Sequence, residues 1–159
     1  MLAVVFILAG CTGGKKSDVQ TVVGKGFTFS APVGWTVERK PTVVAASSGA
    51  VSRIEVSTFT LVKPYRPALF DASSRELDKV ATELASQIAG EVVSSSTVSI
   101  GGRKARSYVV DYGETKSMTI AFVLQGKREY ELLCRRTASQ PDTVCAAFFE
   151  SFTLKSSSG

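Results

Sequence analysis

The chain has 159 residues, of which 44% are hydrophobic and 21% are charged, and its net charge is +5. This composition excludes wholesale disorder, and the length suits one globular domain. The chain contains no histidine, so the Ser-His-Asp arrangement of hydrolases is excluded. Its basic residues form scattered pairs without interleaved aromatic residues, which argues against a nucleic-acid surface. They predict either a solvated basic surface or attraction to anionic lipid headgroups and wall polymers.

The first eleven residues, MLAVVFILAGC, resemble the lipobox end of a bacterial lipoprotein signal peptide. An apolar run, Leu2–Ala9, leads into Gly10 and Cys11. A helix of residues 1–10 would span only about 15 Å, which suits a signal-peptide h-region and is too short to cross a membrane. No Lys or Arg precedes the run, which leaves open a start codon upstream of Met1. We expect removal of residues 1–10, a diacylglycerol on Cys11, and anchoring at the cell membrane, facing outside the cytoplasm.

The cysteine count fits this expectation. The chain has three cysteines, and an exported protein is not expected to leave one thiol unpaired. If Cys11 carries the lipid, Cys134 and Cys145 remain as a pair, and an exported compartment is oxidising enough to join them. A zinc site is the alternative, but the chain offers no histidine and no second cysteine pair. We therefore predict a disulfide and no bound metal.

Composition also predicts the domain boundaries. Residues 12–25 are rich in glycine and lysine, which predicts a flexible tether behind the lipidated Cys11. A single domain is expected over residues 26–154. The last residues, 155–159, read KSSSG and are expected to form a disordered tail.

The first half of the domain is predicted to contain strands followed by one long helix. Phe27 and Phe29 lie on one side of a short strand that ends at Pro32. Residues 53–62 form a second strand, in which a change of apolar phase indicates a bulge or burial on both faces. Ser73 and Glu76 fit a capping box. The helix is expected to end at Gly90, and its core stripe comprises Leu77, Val80, Ala81, Leu84 and Ile88.

The second half predicts consecutive antiparallel strands and a short helix. Gly101-Gly102 joins two strands in a tight hairpin, and Gln125-Gly126-Lys127 makes a later turn. The strand around Met118 is apolar on both faces, so a central position is expected. Pro141 and Asp142 open the last helix. Its buried stripe comprises Cys145, Phe148, Phe149 and Phe152.

These elements together resemble the PsbP-like (Mog/PsbP-type) fold. The resemblance rests on Pro32-Val33-Gly34-Trp35 after a Phe-rich strand, the long helix, the β-meander, and a terminal Phe-rich helix ending in Ser151-Phe152. It covers residues 27–154 and implies an α+β fold: an antiparallel sheet of about six or seven strands between two main helices, an α/β/α sandwich. It implies no function, because the family includes a photosystem II accessory subunit, a Ran-binding import factor and uncharacterised bacterial lipoproteins.

No sequence motif in the chain indicates catalysis. There is no G-x-S-x-G elbow, no P-loop and no G-x-G-x-x-G. Glu129 and Glu131 could form a glycosidase pair, but their i, i+2 spacing predicts two acids on one solvent-facing side of a strand. Asp111 and Glu114 near a hairpin end are too few for a calcium site. We expect no enzyme activity and no cofactor.

The sequence thus favours a lipid-anchored, non-enzymatic binding or accessory module. Its partner would be an envelope protein or an anionic envelope polymer, and not nucleic acid. One alternative is a carrier of a small apolar ligand between sheet and helix. The aromatic residues that suggest it are Trp35, Tyr108, Tyr112, Phe148 and Phe149. A remoter alternative is a hydrolase with an unusual site.

Overall fold

The computed structural model describes residues 18–155. The predictions for residues 1–17, including the signal peptide and lipidation of Cys11, and for 156–159 lie outside this range. The helices are α1 (Phe70–Gln87) and α2 (Thr143–Ser151). The strands are β1 (Val19–Gly24), β2 (Phe27–Pro32), β3 (Thr36–Arg39), β4 (Val43–Ser48), β5 (Ser52–Tyr65), β6 (Gly90–Ile100), β7 (Arg103–Tyr112), β8 (Lys116–Thr137) and β9 (Thr153–Leu154).

The strands form two antiparallel sheets. The larger has the order β3-β4-β5-β8-β7-β6, and the smaller has the order β1-β2-β9. Helix α1 packs on one face of the larger sheet, while α2 and the small sheet pack on the other. The predicted α+β fold with two main helices and an antiparallel sheet is therefore confirmed, but residues 18–155 form nine strands in two sheets where one sheet of about six or seven was expected.

Strand β8 folds back on itself near its middle. Gly126 has a φ of 55°, which favours glycine, and the backbone N–H of Ala138 donates to the carbonyl of Thr115 at 2.7 Å, closing the far end. The first half of β8 pairs with β7 and the second half pairs with β5. The predicted turn at Gln125-Gly126-Lys127 is thus present, and it places both halves of β8 at the centre of the sheet.

Each face of the larger sheet has its own core. The pleat sends alternate side chains to opposite faces. On the α1 side the buried residues are Leu77, Ala81, Ala85, Tyr108, Val110, Met118, Ile120, Phe122 and Leu124. On the α2 side they include Val22, Phe27, Phe29, Ile54, Val56, Ala121, Val123, Leu132, Phe148 and Phe152.

Strand β5 explains the change of phase seen in the sequence. Ile54 and Val56 belong to the α2-side core, whereas Leu61 packs on the α1-side core. The irregularity in its pairing with β8 falls between Thr60 and Tyr65, beyond the change of phase. The apolar residues of the two phases thus face opposite sides of the sheet, but on the α1 side Phe59 is 49% exposed and Leu61 is half-buried.

The expected tether over residues 11–25 is wrong for its last part. Residues 19–24 form β1, which pairs along its whole length with β2. Val22 is fully buried in the core, and this burial holds the segment in the domain. At the other end the backbone N–H of Lys155 donates to the carbonyl of Gly26 at 2.9 Å, so the expected disordered tail over residues 155–159 is wrong at its first residue.

Helix α1 begins before the predicted capping box. A 3-10 turn, Pro67–Leu69, leads directly into Phe70, and proline suits this position because it has no N–H to leave unbonded. The hydroxyl of Ser74 donates to the carbonyl of Phe70 at 2.8 Å, from inside the helix. Ser73 and Glu76 therefore do not cap the helix, and the expected start is wrong.

The end of α1 also differs from the expectation. Ala89, and not Gly90, takes the left-handed conformation, with a φ of 52°. Gly90 is the first residue of β6, where a Cβ atom would lie 2.8 Å from the carbonyl oxygen of Asp111 and 2.9 Å from Cβ of Tyr112. Glycine is needed here for the close approach of two strands.

Cys134 and Cys145 lie at disulfide distance from each other, which fits the predicted pair. Both cysteines are buried. Their positions join the second half of β8 to the first turn of α2. The pair therefore ties the last helix to the centre of the larger sheet.

Candidate functional site

Six basic side chains gather at one end of the domain. Four of them surround a cavity of about 400 Å³, and two surround a neighbouring cavity of about 190 Å³ beside Tyr65. We call this surface the basic end. It comprises Lys25, Lys127, Arg128 and Lys155 at the first cavity and Arg103 and Lys104 at the second.

The antiparallel topology brings these residues together. The β6–β7 turn and the fold-back of β8 lie at the same end of the larger sheet, because alternate turns of an antiparallel sheet share one end. The β1–β2 turn of the smaller sheet lies against this end, where Lys25 and Gly26 line the same cavity as the fold-back of β8. Lys155 joins them because its N–H bonds to Gly26 in the first turn. In the sequence, the available signal was that Lys25, the pair Arg103-Lys104 and the pair Lys127-Arg128 each adjoin a glycine. The pairs look scattered because contacts between distant segments decide their position.

The charges of the basic end are not neutralised within the described chain. No acidic residue lines either cavity. None of the six basic residues takes part in an ion pair with a residue between 18 and 155. Lys104 lies 5.6 Å from the ring centroid of Phe70, a contact that leaves its charge available. The surface can therefore attract an anion of more than one charge.

A second feature is an apolar groove beside α1, which we call the α1 groove. The predicted stripe of α1 is wider than the sheet covers. Leu77 and Ala81 are buried as predicted, but Val80 and Ile88 are each 39% exposed and Leu84 is half-buried. The uncovered part of the stripe forms one wall of the groove, and the side chains of β5 and β8 form the rest.

The α1 groove contains two adjoining clefts. The larger, about 320 Å³, is lined mainly by Leu61, Leu69, Leu77, Val80 and Leu124. The smaller, about 210 Å³, is lined mainly by Leu84, Ile88, Met118, Ile120 and Leu133. The larger cleft reaches the lower limit of ordinary small-ligand sites.

Two carboxylates lie on the floor of the α1 groove. Glu129 lines the larger cleft and Glu131 the smaller. Both are half-buried, so the expectation that they face solvent is wrong. Burial raises the pKa of Glu129, and burial, together with the nearby charges of Glu129 and Glu55, raises the pKa of Glu131 to about 7.

A polar contact fixes α1 against β7 next to the groove. The hydroxyl of Tyr108 donates to Oδ1 of Asp78 at 2.7 Å, and Nη2 of Arg106 donates to the same atom at 2.8 Å. The hydrogen bonds from Tyr108 and Arg106 lower the pKa of Asp78. Burial and the bond to Asp78 raise the pKa of Tyr108 to about 12. The wall of the groove that α1 provides is therefore held in place.

The aromatic residues suggested for an apolar carrier do not form one site. Tyr108 and Phe148 are buried in opposite cores, and Phe149 packs against the α2-side core. Trp35 lines a separate cavity of about 190 Å³ beside the cysteine pair. Of the five, Tyr112 lines the α1 groove.

The remaining candidates form no site in the part of the chain that the structure describes. Asp111 and Glu114 are both exposed. Residues 18–155 contain no group of three or more potential metal ligands. Within the same range no helix is both long and apolar enough to span a membrane.

The comparisons with known proteins establish the fold. No protein-family model matches the chain, and no curated protein matches it. A crystal structure from Bacteroides thetaiotaomicron VPI-5482 superposes with a TM-score of 0.62 at 13% identity, covering 90% of this chain and 51% of that chain, so this chain spans about half its length. The solution structure of cyanobacterial PsbP (CyanoP) from Synechocystis sp. PCC 6803 superposes with a TM-score of 0.58 at 17% identity, covering 92% of this chain and 98% of that chain. The protein therefore has a PsbP-like α+β fold.

Proposed function

We propose that this protein is exported, anchored outside the cytoplasm by a lipid on Cys11, and binds an anionic polymer of the envelope through its basic end, without catalysing a reaction. The observation that carries the binding part is the gathering of six basic side chains around two cavities that no acidic residue lines. The anchoring part rests on the lipobox-like residues 8–11. The paired positions of Cys134 and Cys145 support export, because such a pair suits an oxidising compartment.

The shape of the basic end favours a polymer over a single small anion. Its charges are spread over two cavities and three turns of the fold. A flexible chain with repeated charges can contact several of them at once, which raises avidity without a tight pocket. A basic residue near an anionic surface contributes about 1 kcal/mol.

The binding test uses the full chain carrying Cys11→Ser, titrated with inorganic polyphosphate and with polygalacturonate. We expect binding that falls steeply between about 0.1 M and about 1 M salt, because the Debye length shortens from about 10 Å to about 3 Å. Reversing two charges, Lys127→Glu with Arg128→Glu, should weaken binding at least about 30-fold. Absence of polymer binding at low salt would overturn the proposal.

The matched control reverses two exposed basic residues that line neither cavity of the basic end, Arg75→Glu with Lys116→Glu. It changes the net charge equally, and we expect it to leave binding unchanged. An equal loss in both double variants would show a response to net charge alone and would contradict a site at the basic end. Vesicles containing phosphatidylglycerol that bind as tightly as the polymers would assign the surface to a membrane instead.

The anchor is tested separately by Cys11→Ser in the native host. We expect the variant to leave the membrane fraction or to remain unprocessed, because two acyl chains give stable attachment where one is marginal. Unchanged processing and membrane association would contradict the anchor, whatever the polymer experiment shows.

A further inference from the structure

The α1 groove leaves apolar surface uncovered along a helix that is otherwise well packed. Val80, Leu84 and Ile88 continue the apolar stripe of α1 beyond the sheet, and Leu69, which is 49% exposed, lines the larger cleft with Val80. These four partly open apolar side chains on α1 and the turn before it line the two clefts of the groove. Such patches mark binding surfaces more often than scattered exposed residues do.

The floor of the groove carries two half-buried carboxylates, those of Glu129 and Glu131. Glu129 and Glu131 form no ion pair and accept no side-chain hydrogen bond from any residue in the range 18–155. Lys63 lines the larger cleft and Arg135 the smaller, but neither forms an ion pair with Glu129 or Glu131, and Nε of Arg135 donates to the carbonyl of Val51. A half-buried carboxylate without a partner costs stability, and a cation placed beside it would relieve that cost.

We propose that the α1 groove binds an amphiphile with an apolar chain and a cationic amine head. The chain lies in the larger cleft against Leu77 and Val80, and the amine lies between Glu129 and Glu131. An amphiphile with a carboxylate head fits less well, because it would bring a third negative charge beside two unpaired ones. The larger cleft borders the second cavity of the basic end, with which it shares Tyr65 and Leu124, but the two carboxylates and the six basic side chains line different cavities.

The test compares three molecules with the same chain: dodecylamine, dodecanol and dodecanoate. Each is titrated calorimetrically, below its micelle concentration and at pH 8, into the full chain carrying Cys11→Ser. We expect dodecylamine to bind at least about tenfold more tightly than dodecanoate, because each charge-assisted contact with the buried acids is favourable. Dodecanol should fall between them.

Two variants assign the binding to the groove. Glu129→Gln with Glu131→Gln keeps the shape and removes the charge, so the three molecules should bind about equally. Val80→Glu places a charge on the wall and should abolish chain binding. Val93→Glu is its control, because Val93 is an exposed valine on β6 outside the groove, and it should bind like the parent.

Several results would overturn the inference. Absence of binding by all three molecules, tighter binding of dodecanoate, or an unchanged preference in the Gln variants would each do so. Equal effects of Val80→Glu and Val93→Glu would also count against the groove. None of these outcomes bears on polymer binding at the basic end.

Discussion

Glu131→Gln is expected to stabilise the protein above neutral pH and to have little effect in acid. The carboxyl group of Glu131 faces Glu129 and Glu55 on the sheet, and Arg135 and Gln87 line its cleft. Its pKa is raised on folding from 4.5 to about 7. A group with a raised pKa contributes stability below its unfolded pKa, and this contribution is lost as the pH rises through the folded value. The wild-type protein should therefore lose stability between about pH 4.5 and about pH 7.

The size of the effect follows from the same values. A pKa difference of one corresponds to about 1.36 kcal/mol, so the rise of about 2.5 in the pKa of Glu131 sets an upper limit of about 3.4 kcal/mol on the stability gained. The side chain is only partly buried, so solvent screening reduces the expected gain to about 1–2 kcal/mol at pH 8. Urea unfolding at pH 4.5, 6 and 8 measures the difference between variant and wild type. Glu83→Gln on the exposed face of α1 is the control, with no expected change across this range. A gain that did not grow with pH, or a loss at pH 8, would refute the burial argument.

Three further variants test the fold. Gly90→Ala should cost about 1–3 kcal/mol of unfolding free energy, because the new methyl meets backbone at 2.8 Å, and an unchanged melting temperature would contradict this. Tyr108→Phe removes the hydrogen bond to Asp78 and should cost about 1–2 kcal/mol in urea unfolding at pH 7. Because folding raises the pKa of Tyr108, the wild type should lose stability as the pH rises from 10 to about 12, and the variant should not show this loss. Cys134→Ala with Cys145→Ala opens a loop with a sequence separation of 11 and should cost about 3 kcal/mol relative to the oxidised parent, and the parent after reduction should match the variant.

Local patterns predicted the elements whose signals are local. The Gly101-Gly102 hairpin formed as expected, with both glycines at positive φ. The stripe of α2 packs as predicted, with Cys145 and Phe148 buried. In both cases the residues that decide the structure lie within one turn or one helix of each other.

Features decided by distant contacts were missed. The composition of residues 19–24 resembles a linker, yet pairing with β2 and burial of Val22 make them a strand. The spacing of the α1 stripe correctly predicted an apolar face, but it could not show that the sheet covers only part of that face. Glu129 and Glu131 were correctly placed on one side of a strand, while the position of α1 decided that this side is a groove.

The described chain enters the domain far from the basic end. Strand β1 starts beside Val33, whose N–H bonds to the carbonyl of Asp18, and it runs to Lys25 at the basic end. A strand of this length rises about 20 Å. The described part of the chain therefore begins at the opposite end of the domain from the six basic side chains. The point where the chain enters the domain and the proposed polymer-binding surface do not overlap.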